Sequence, residues 1–205
     1  MRCSFCHNAE FVVPELYKDN LDKLISQKAI LSFLEQRKWL LDGVSICWGE
    51  PTLQADLFNF CKIVKSMWFA VKLDTNGRDP VILQKLLQND LVDYIAMDIK
   101  NPIWKFQELT CVDESDEKYL ESIKIILNSH INYEFRTTVI KGFHNETSIE
   151  NICKTISWAK NYYLQNYRSG KTLDPKFQWE SFNTSELNLF QYIADKYVNN
   201  CGIRE

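Results

Sequence analysis

The chain has 205 residues, 45% of them hydrophobic and 25% charged, a balance that suits one compact domain spanning 1–205 with a single substantial core. A net charge of −3 argues against general affinity for nucleic acid or an anionic membrane, and no apolar run approaches the roughly 20 residues needed to cross a bilayer. Seven cysteines, an odd number, with no basic-then-apolar export signature, lead us to expect a reducing cytoplasm and metal or redox chemistry rather than disulfides.

The first informative stretch is Cys3-Ser4-Phe5-Cys6-His7-Asn8. Two cysteines spaced C-x-x-C are soft ligands, open to zinc, an iron–sulfur cluster, a thiol redox pair or covalent haem. The absence of an export signature weighs against haem. From about residue 16 to 38, Leu21, Leu24, Ile25, Leu31 and Leu34 recur at helical spacing. Gly43 breaks that pattern, and Val44-Ser45-Ile46-Cys47 reads as a short buried strand running into Gly49-Glu50-Pro51. Leu57, Phe60, Cys61 and Val64 then mark a helix.

Residues 69–73 form the next expected strand, ending in Asp74-Thr75-Asn76-Gly77. Asp79-Pro80 supplies an N-cap with proline at the first helical position. A strand over 92–99 ends in Asp98-Ile99-Lys100, and a helix carries Tyr119, Leu120, Ile123, Ile126 and Leu127. A strand over 133–140 closes on Lys141-Gly142. Thr147-Ser148-Ile149-Glu150 has capping-box form ahead of Ile152, Cys153 and Ile156. Residues 162–167 make a fifth strand, and Leu187, Phe190, Ala194 and Tyr197 a final helix.

Five strands alternating with helices imply a parallel sheet with right-handed crossovers, either open or part of a barrel. Reactive groups in both gather at the carboxyl ends of the strands. There fall Gly49-Glu50-Pro51, Asp74-Thr75-Asn76-Gly77, Asp98 with Lys100, Arg136 and Gln165-Asn166, which argues for an enzyme. Alone, Gly49-Glu50-Pro51 would read as a turn. Asp98 and Lys100, two apart, point to one side, as an ion pair or ligand clamp if that side is a barrel interior. Cys61 and Cys153 sit on apolar helix faces and read as core. His130 and His144 match no ligand spacing.

Taken in order, Arg2-Cys3-Ser4-Phe5-Cys6-His7-Asn8, Gly49-Glu50-Pro51-Thr52-Leu53-Gln54 and Lys72-Leu73-Asp74-Thr75-Asn76-Gly77 resemble the radical S-adenosylmethionine (SAM) superfamily. So do the segments 93–100, 136–139 and 163–168. The resemblance is closest to the activating proteins of anaerobic ribonucleoside-triphosphate reductase, and it covers nearly the whole chain. It implies a partial, open TIM-like barrel of parallel strands with alternating helices. It also implies a [4Fe–4S] cluster held by Cys3 and Cys6, with SAM on the open iron. Reductive cleavage of SAM would give a 5′-deoxyadenosyl radical that takes hydrogen from a backbone glycine of a glycyl-radical enzyme, with electrons from a flavodoxin- or ferredoxin-type donor.

By position, the resemblance assigns Gly49 and Glu50 to the methionine end of SAM, and Asp74, Thr75 and Asp98 to a polar cluster that in related glycyl-radical activases surrounds a cation near SAM; Asn76 is counted with the cofactor-binding residues. Lys100 and Arg136 would face the carboxylate, and Gln165 with Asn166 the far end of the cofactor. Two departures stand out. The family's first cluster cysteine would lie four residues before Cys3, so the expectation is a start placed too far downstream or a truncated gene, with the first barrel strand missing. Trp48 stands where the family has glycine, and Cys47 reads as an ordinary strand residue. The competing expectations are a catalytically dead remnant and a radical SAM enzyme acting on a small molecule.

Overall fold

Alternation along the central strands decides how the sheet faces. In a computed structural model of the chain, residues 24–47, 49–102, 116–170 and 179–204 are described, with Cys6, Val13, Thr172 and Leu173. The described elements are α1 (Gln27–Gln36), β1 (Gly43–Ile46), a 3-10 turn (Pro51–Leu53), α2 (Leu57–Ser66), β2 (Ala70–Thr75), α3 (Pro80–Gln88) and β3 (Tyr94–Asp98). There follow α4 (Asp116–Leu127), β4 (Asn132–Val139), α5 (Glu146–Thr155), β5 (Tyr162–Asn166), α6 (Thr184–Ala194) and β6 (Cys201–Arg204).

All six strands are parallel and lie in the order of the chain, β1-β2-β3-β4-β5-β6. Each right-handed crossover in such an order returns on the same side, so the helices gather on one face and the sheet curls as in a barrel, here unclosed. Val71, Leu73, Ile95, Met97, Tyr133, Phe135, Val139, Tyr162, Leu164 and Cys201 point to that face. They share one core with Cys61, Val64, Leu83, Leu86, Ile126, Ile152 and Phe190 of the helices. The intervening residues, Lys72, Asp74, Tyr94, Asp98, Glu134, Arg136, Tyr163, Gln165 and Arg204, line the other face. A parallel sheet normally buries apolar side chains on both faces; this charged face departs from that pattern and is where a polar ligand could be met.

Several sequence expectations change in detail. The sheet has a sixth strand, β6, which the sequence reading omitted, and it pairs with β5 from Cys201 to Arg204. The first helix starts only after Ser26, whose side chain accepts from Ala29 N at 3.2 Å. Leu24 and Ile25, read as part of its face, precede it and are 51% and 71% exposed. Strand β1 is the edge of the sheet among the described residues and is half exposed rather than buried. In α5 the capping box is formed by Asn145 and Ser148, two residues ahead of Thr147. Asp79 caps α3 as expected, accepting from Ile82 N at 3.0 Å. Cys61 and Cys153 are fully buried core residues, and burial pushes their thiols up to about 11 and about 12. No described helix is long and apolar enough to cross a membrane.

Candidate active site at the carboxyl rim

Glu50 organises the rim between β1 and β2. It follows Gly49, whose φ of +61° favours glycine, and its carboxylate caps the 3-10 turn begun by Pro51. Oε1 accepts from Thr52 N (3.2 Å), Thr52 Oγ1 (2.6 Å) and Thr75 Oγ1 (2.7 Å), and Oε2 accepts from Asn76 N (2.7 Å). The carboxylate is buried and welds two successive βα loops together. Thr75 Oγ1 in turn accepts from Gly77 N at 3.1 Å, and Asn76 Oδ1 from Arg78 N at 3.1 Å. Gly77 adopts φ +75°, a backbone conformation strained for any residue with a Cβ, and a Cβ there would also displace the end of the Met97 side chain. Gly49-Glu50-Pro51 is therefore far more than a surface turn.

Beside this clamp lies an ionic array on the inner face. Arg136 Nη1 donates to Asp74 Oδ2 at 3.0 Å, and its Nε donates to Asp98 Oδ1 at 2.8 Å. Lys72 pairs with the other oxygen of Asp74, and Lys100 Nζ reaches Asp98 Oδ2 at 3.4 Å. The Arg136 side chain is only 12% exposed. Burial opposes its charge, yet Asp98 and Asp74 more than offset this and hold its pKa above the ordinary value. Burial likewise raises the Asp98 carboxyl, but Lys100 and Arg136 outweigh it and the net shift is downward. The strand spacing of Asp98 and Lys100 thus yields the expected ion pair.

The array continues deeper through residues that the sequence reading missed. Glu134, two residues before Arg136 on β4, takes a forked bond from Arg204: Nη1 to Oε1 and Nη2 to Oε2, both 2.8 Å. Tyr94 Oη also donates to Oε2 at 2.8 Å. The Arg204 guanidinium stacks 3.5 Å over the Tyr163 ring. Burial raises the Glu134 carboxyl, while the bonds from Arg204 and Tyr94 more than reverse this and leave its pKa lowered. Strand parity with Arg136 could have found Glu134; nothing pointed to Arg204 without β6. His144 is buried, with Nδ1 accepting from Ile140 N and Nε2 3.0 Å from the Lys100 carbonyl. Since Nδ1 must be the acceptor, the proton rests on Nε2 and is donated to Lys100.

The structure brings Glu50, Asp74, Thr75, Asn76, Asp98, Lys100 and Arg136 to one rim. Gln165 lies on the inner face of β5, in register with Arg204. Asn166 turns instead to the backbone of Phe182, donating to its carbonyl at 2.8 Å and accepting from its N–H at 3.0 Å. The Cys6 carbonyl accepts from Leu173 N, seven residues beyond the end of β5, at 2.8 Å. Cys3, His7, Asn8 and Trp48 lie outside the described residues. Cys47, just past β1, is exposed. A rim rich in both carboxylates and cations fits a zwitterionic sulfonium, and the free Cys6 thiol is a soft ligand of the kind that holds an iron–sulfur cluster.

The family model described as "Radical SAM superfamily" matches residues 1–159. A Methanocaldococcus jannaschii protein, provisionally named a glycyl-radical enzyme activating enzyme, is 30% identical over 210 residues, covering 100% of this chain and 84% of that protein. A second protein of that organism with the same provisional name is 29% identical over 204 residues, covering 97% of this chain and 74% of its own length. Among solved structures, Streptococcus suis SuiB superposes with a TM-score of 0.68 at 15% identity over 100% of this chain. The chain spans 47% of SuiB, a likeness of fold alone. The radical SAM superfamily uses a [4Fe–4S] cluster and S-adenosylmethionine.

Proposed function

The chain belongs to the radical SAM superfamily, and from that premise we propose that it is an activase that generates a glycyl radical on anaerobic ribonucleoside-triphosphate reductase. The observation that carries this reading is the mixed-charge array of Asp74, Arg136, Asp98 and Lys100 at the carboxyl rim. A glycyl-radical enzyme as target is supported by the names of the two Methanocaldococcus jannaschii relatives, and the reductase in particular by the sequence resemblance to its activating proteins.

In this reading Cys3 and Cys6 hold the cluster, which with SAM supplies one-electron cleavage of a sulfonium carbon–sulfur bond. Arg136 and Lys100 offer cations to the α-carboxylate of SAM, while Asp74 and Asp98 hold those cations in place and balance the positive sulfonium. Glu50 acts one step back. By locking Thr75 and Asn76 to its own loop, it fixes the backbone that the methionine end of SAM would meet, with Gly49 giving close approach. Gln165 lies further along the inner face, where it can meet the far end of the cofactor. The open barrel leaves the rim accessible to a protein substrate and to a flavodoxin- or ferredoxin-type donor in the cytoplasm.

The test is anaerobic iron–sulfide reconstitution, followed by reduction in the presence of SAM and the reductase. A brown protein that releases 5′-deoxyadenosine and methionine, with a glycyl-radical resonance on the reductase, is the expected result. SAM cleavage without that resonance would reject the target while keeping the chemistry.

A further inference from the structure

Glu134 lies between two arginines and can fully serve only one of them. It gives both oxygens to Arg204 at 2.8 Å, while Arg136 Nη1 stands 3.9 Å from its Oε1 and is bonded instead to Asp74 at 3.0 Å. The carboxylate is 5% exposed, so it cannot rely on water to stabilise its charge. If the guanidinium of Arg204 were withdrawn, the nearest cation would be Arg136, about 1 Å short of hydrogen-bonding distance. Arg204 is itself 41% exposed and held over Tyr163, on a strand that bears no other group of the rim array.

We propose that Arg204 is a positioning residue for Arg136, acting through Glu134: by saturating that carboxylate, it keeps Arg136 on Asp74 and Asp98 at the rim. The inference rests on Arg136 facing the cofactor, as in the function proposed above. Its signature is an asymmetry. Removing Arg204 harms the site because Glu134 becomes a competitor, and removing the competitor as well repairs it. A pair that merely stabilised the sheet would leave the double variant no better than the single.

The experiment compares wild type, Arg204→Met and Arg204→Met/Glu134→Gln, each reconstituted anaerobically. SAM affinity is measured by equilibrium dialysis, and the Arg136 side chain is followed by its Nε–Hε NMR resonance, assigned with Arg136→Lys. Arg204→Met is expected to shift the Arg136 resonance and weaken SAM binding by about tenfold to a hundredfold, the weight of one charge-assisted hydrogen bond. The double variant is expected to return both to near the wild-type values. Should Arg204→Met fail to fold, Arg204→Lys keeps the charge without the fork and gives a smaller shift in the same direction, again reversed by Glu134→Gln. An Arg136 resonance unmoved in the single variant, or a double variant no better than the single, overturns the proposal. Wild-type protein that binds no SAM would reject the functional reading, and the resonance would still decide the positioning role.

Discussion

Asp98 and Arg136 stand opposite one another in the β3–β4 register, and the arginine Nε donates to Asp98 Oδ1 at 2.8 Å. The same guanidinium reaches across to Asp74 on β2, so one side chain ties three adjacent strands on the face that carries no helix among the described residues. Truncation to Arg136→Met leaves two partly buried carboxylates facing each other's charge. We expect a loss of about 2–3 kcal/mol, the lower side of what breaking a buried pair costs because Asp98 keeps some contact with water. Urea denaturation measures it, and Asp98→Asn combined with Arg136→Met should lose less than the sum of the two single changes.

Glu50 accepts four hydrogen bonds from two loops, so Glu50→Ala strands the buried Asn76 N–H and the hydroxyls of Thr52 and Thr75. The expected cost is about 2–4 kcal/mol. Amide hydrogen exchange at Asn76 and Gly77 should quicken well before that of the central strands. Unchanged protection at Asn76 would show that the clamp is not what holds the loop.

Burial holds the His144 pKa below its ordinary value of 6.5, although its bonds to the Lys100 and Ile140 backbones pull the other way. The unfolded chain takes up this proton first. The stability linked to His144 is therefore fully present above pH 6.5 and falls as the pH drops from there towards the folded-state value. The slope approaches about 1.4 kcal/mol per pH unit. Melting temperatures recorded from pH 8 to pH 5 for wild type and His144→Gln should differ by a constant amount above pH 6.5, and wild type should lose stability relative to the variant below it.

Thiol accessibility separates the cysteines. Cys47 is exposed, whereas Cys61, Cys153 and Cys201 are buried, with thiols pushed up to about 11, about 12 and about 12 by burial. A chromogenic disulfide reagent should label Cys47 within seconds in the folded protein and the three core cysteines only on denaturation. Fast labelling of Cys153 in native protein would contradict the packing of α5 against the sheet.

The alternation of helix and strand was legible because each middle strand pairs a two-residue polarity period with a turn at its carboxyl end. Asp74, Asp98 and Lys100 were legible for the same reason: they lie at or just past the carboxyl ends of β2 and β3, and strand ends of one parallel sheet share a rim, which Arg136 reaches from the middle of β4. Three things were hidden. Strand β6 is four residues long, Cys-Gly-Ile-Arg, too short to display any period. Leu24 and Ile25 continue the helical spacing of α1, but the Ser26 cap decides where the helix begins. The exposure of β1 depends on what lies beside it, which local sequence cannot report. Arg204 and His144 belong to the site only through contacts across 70 and 44 positions of chain, distances at which periodicity is silent.

The ordered strand sequence also sets a timetable. On a ribosome, the βα units can dock one upon the next as they emerge, and the apolar face is covered progressively. Glu134, however, is translated 70 residues before Arg204. Until that late guanidinium arrives, Glu134 has the Tyr94 hydroxyl but not its forked partner, and Arg136 is the nearest described cation. The correct wiring of the rim is thus a late event of biosynthesis, and ribosome-bound intermediates halted before β6 should be the form in which Arg136 is misplaced.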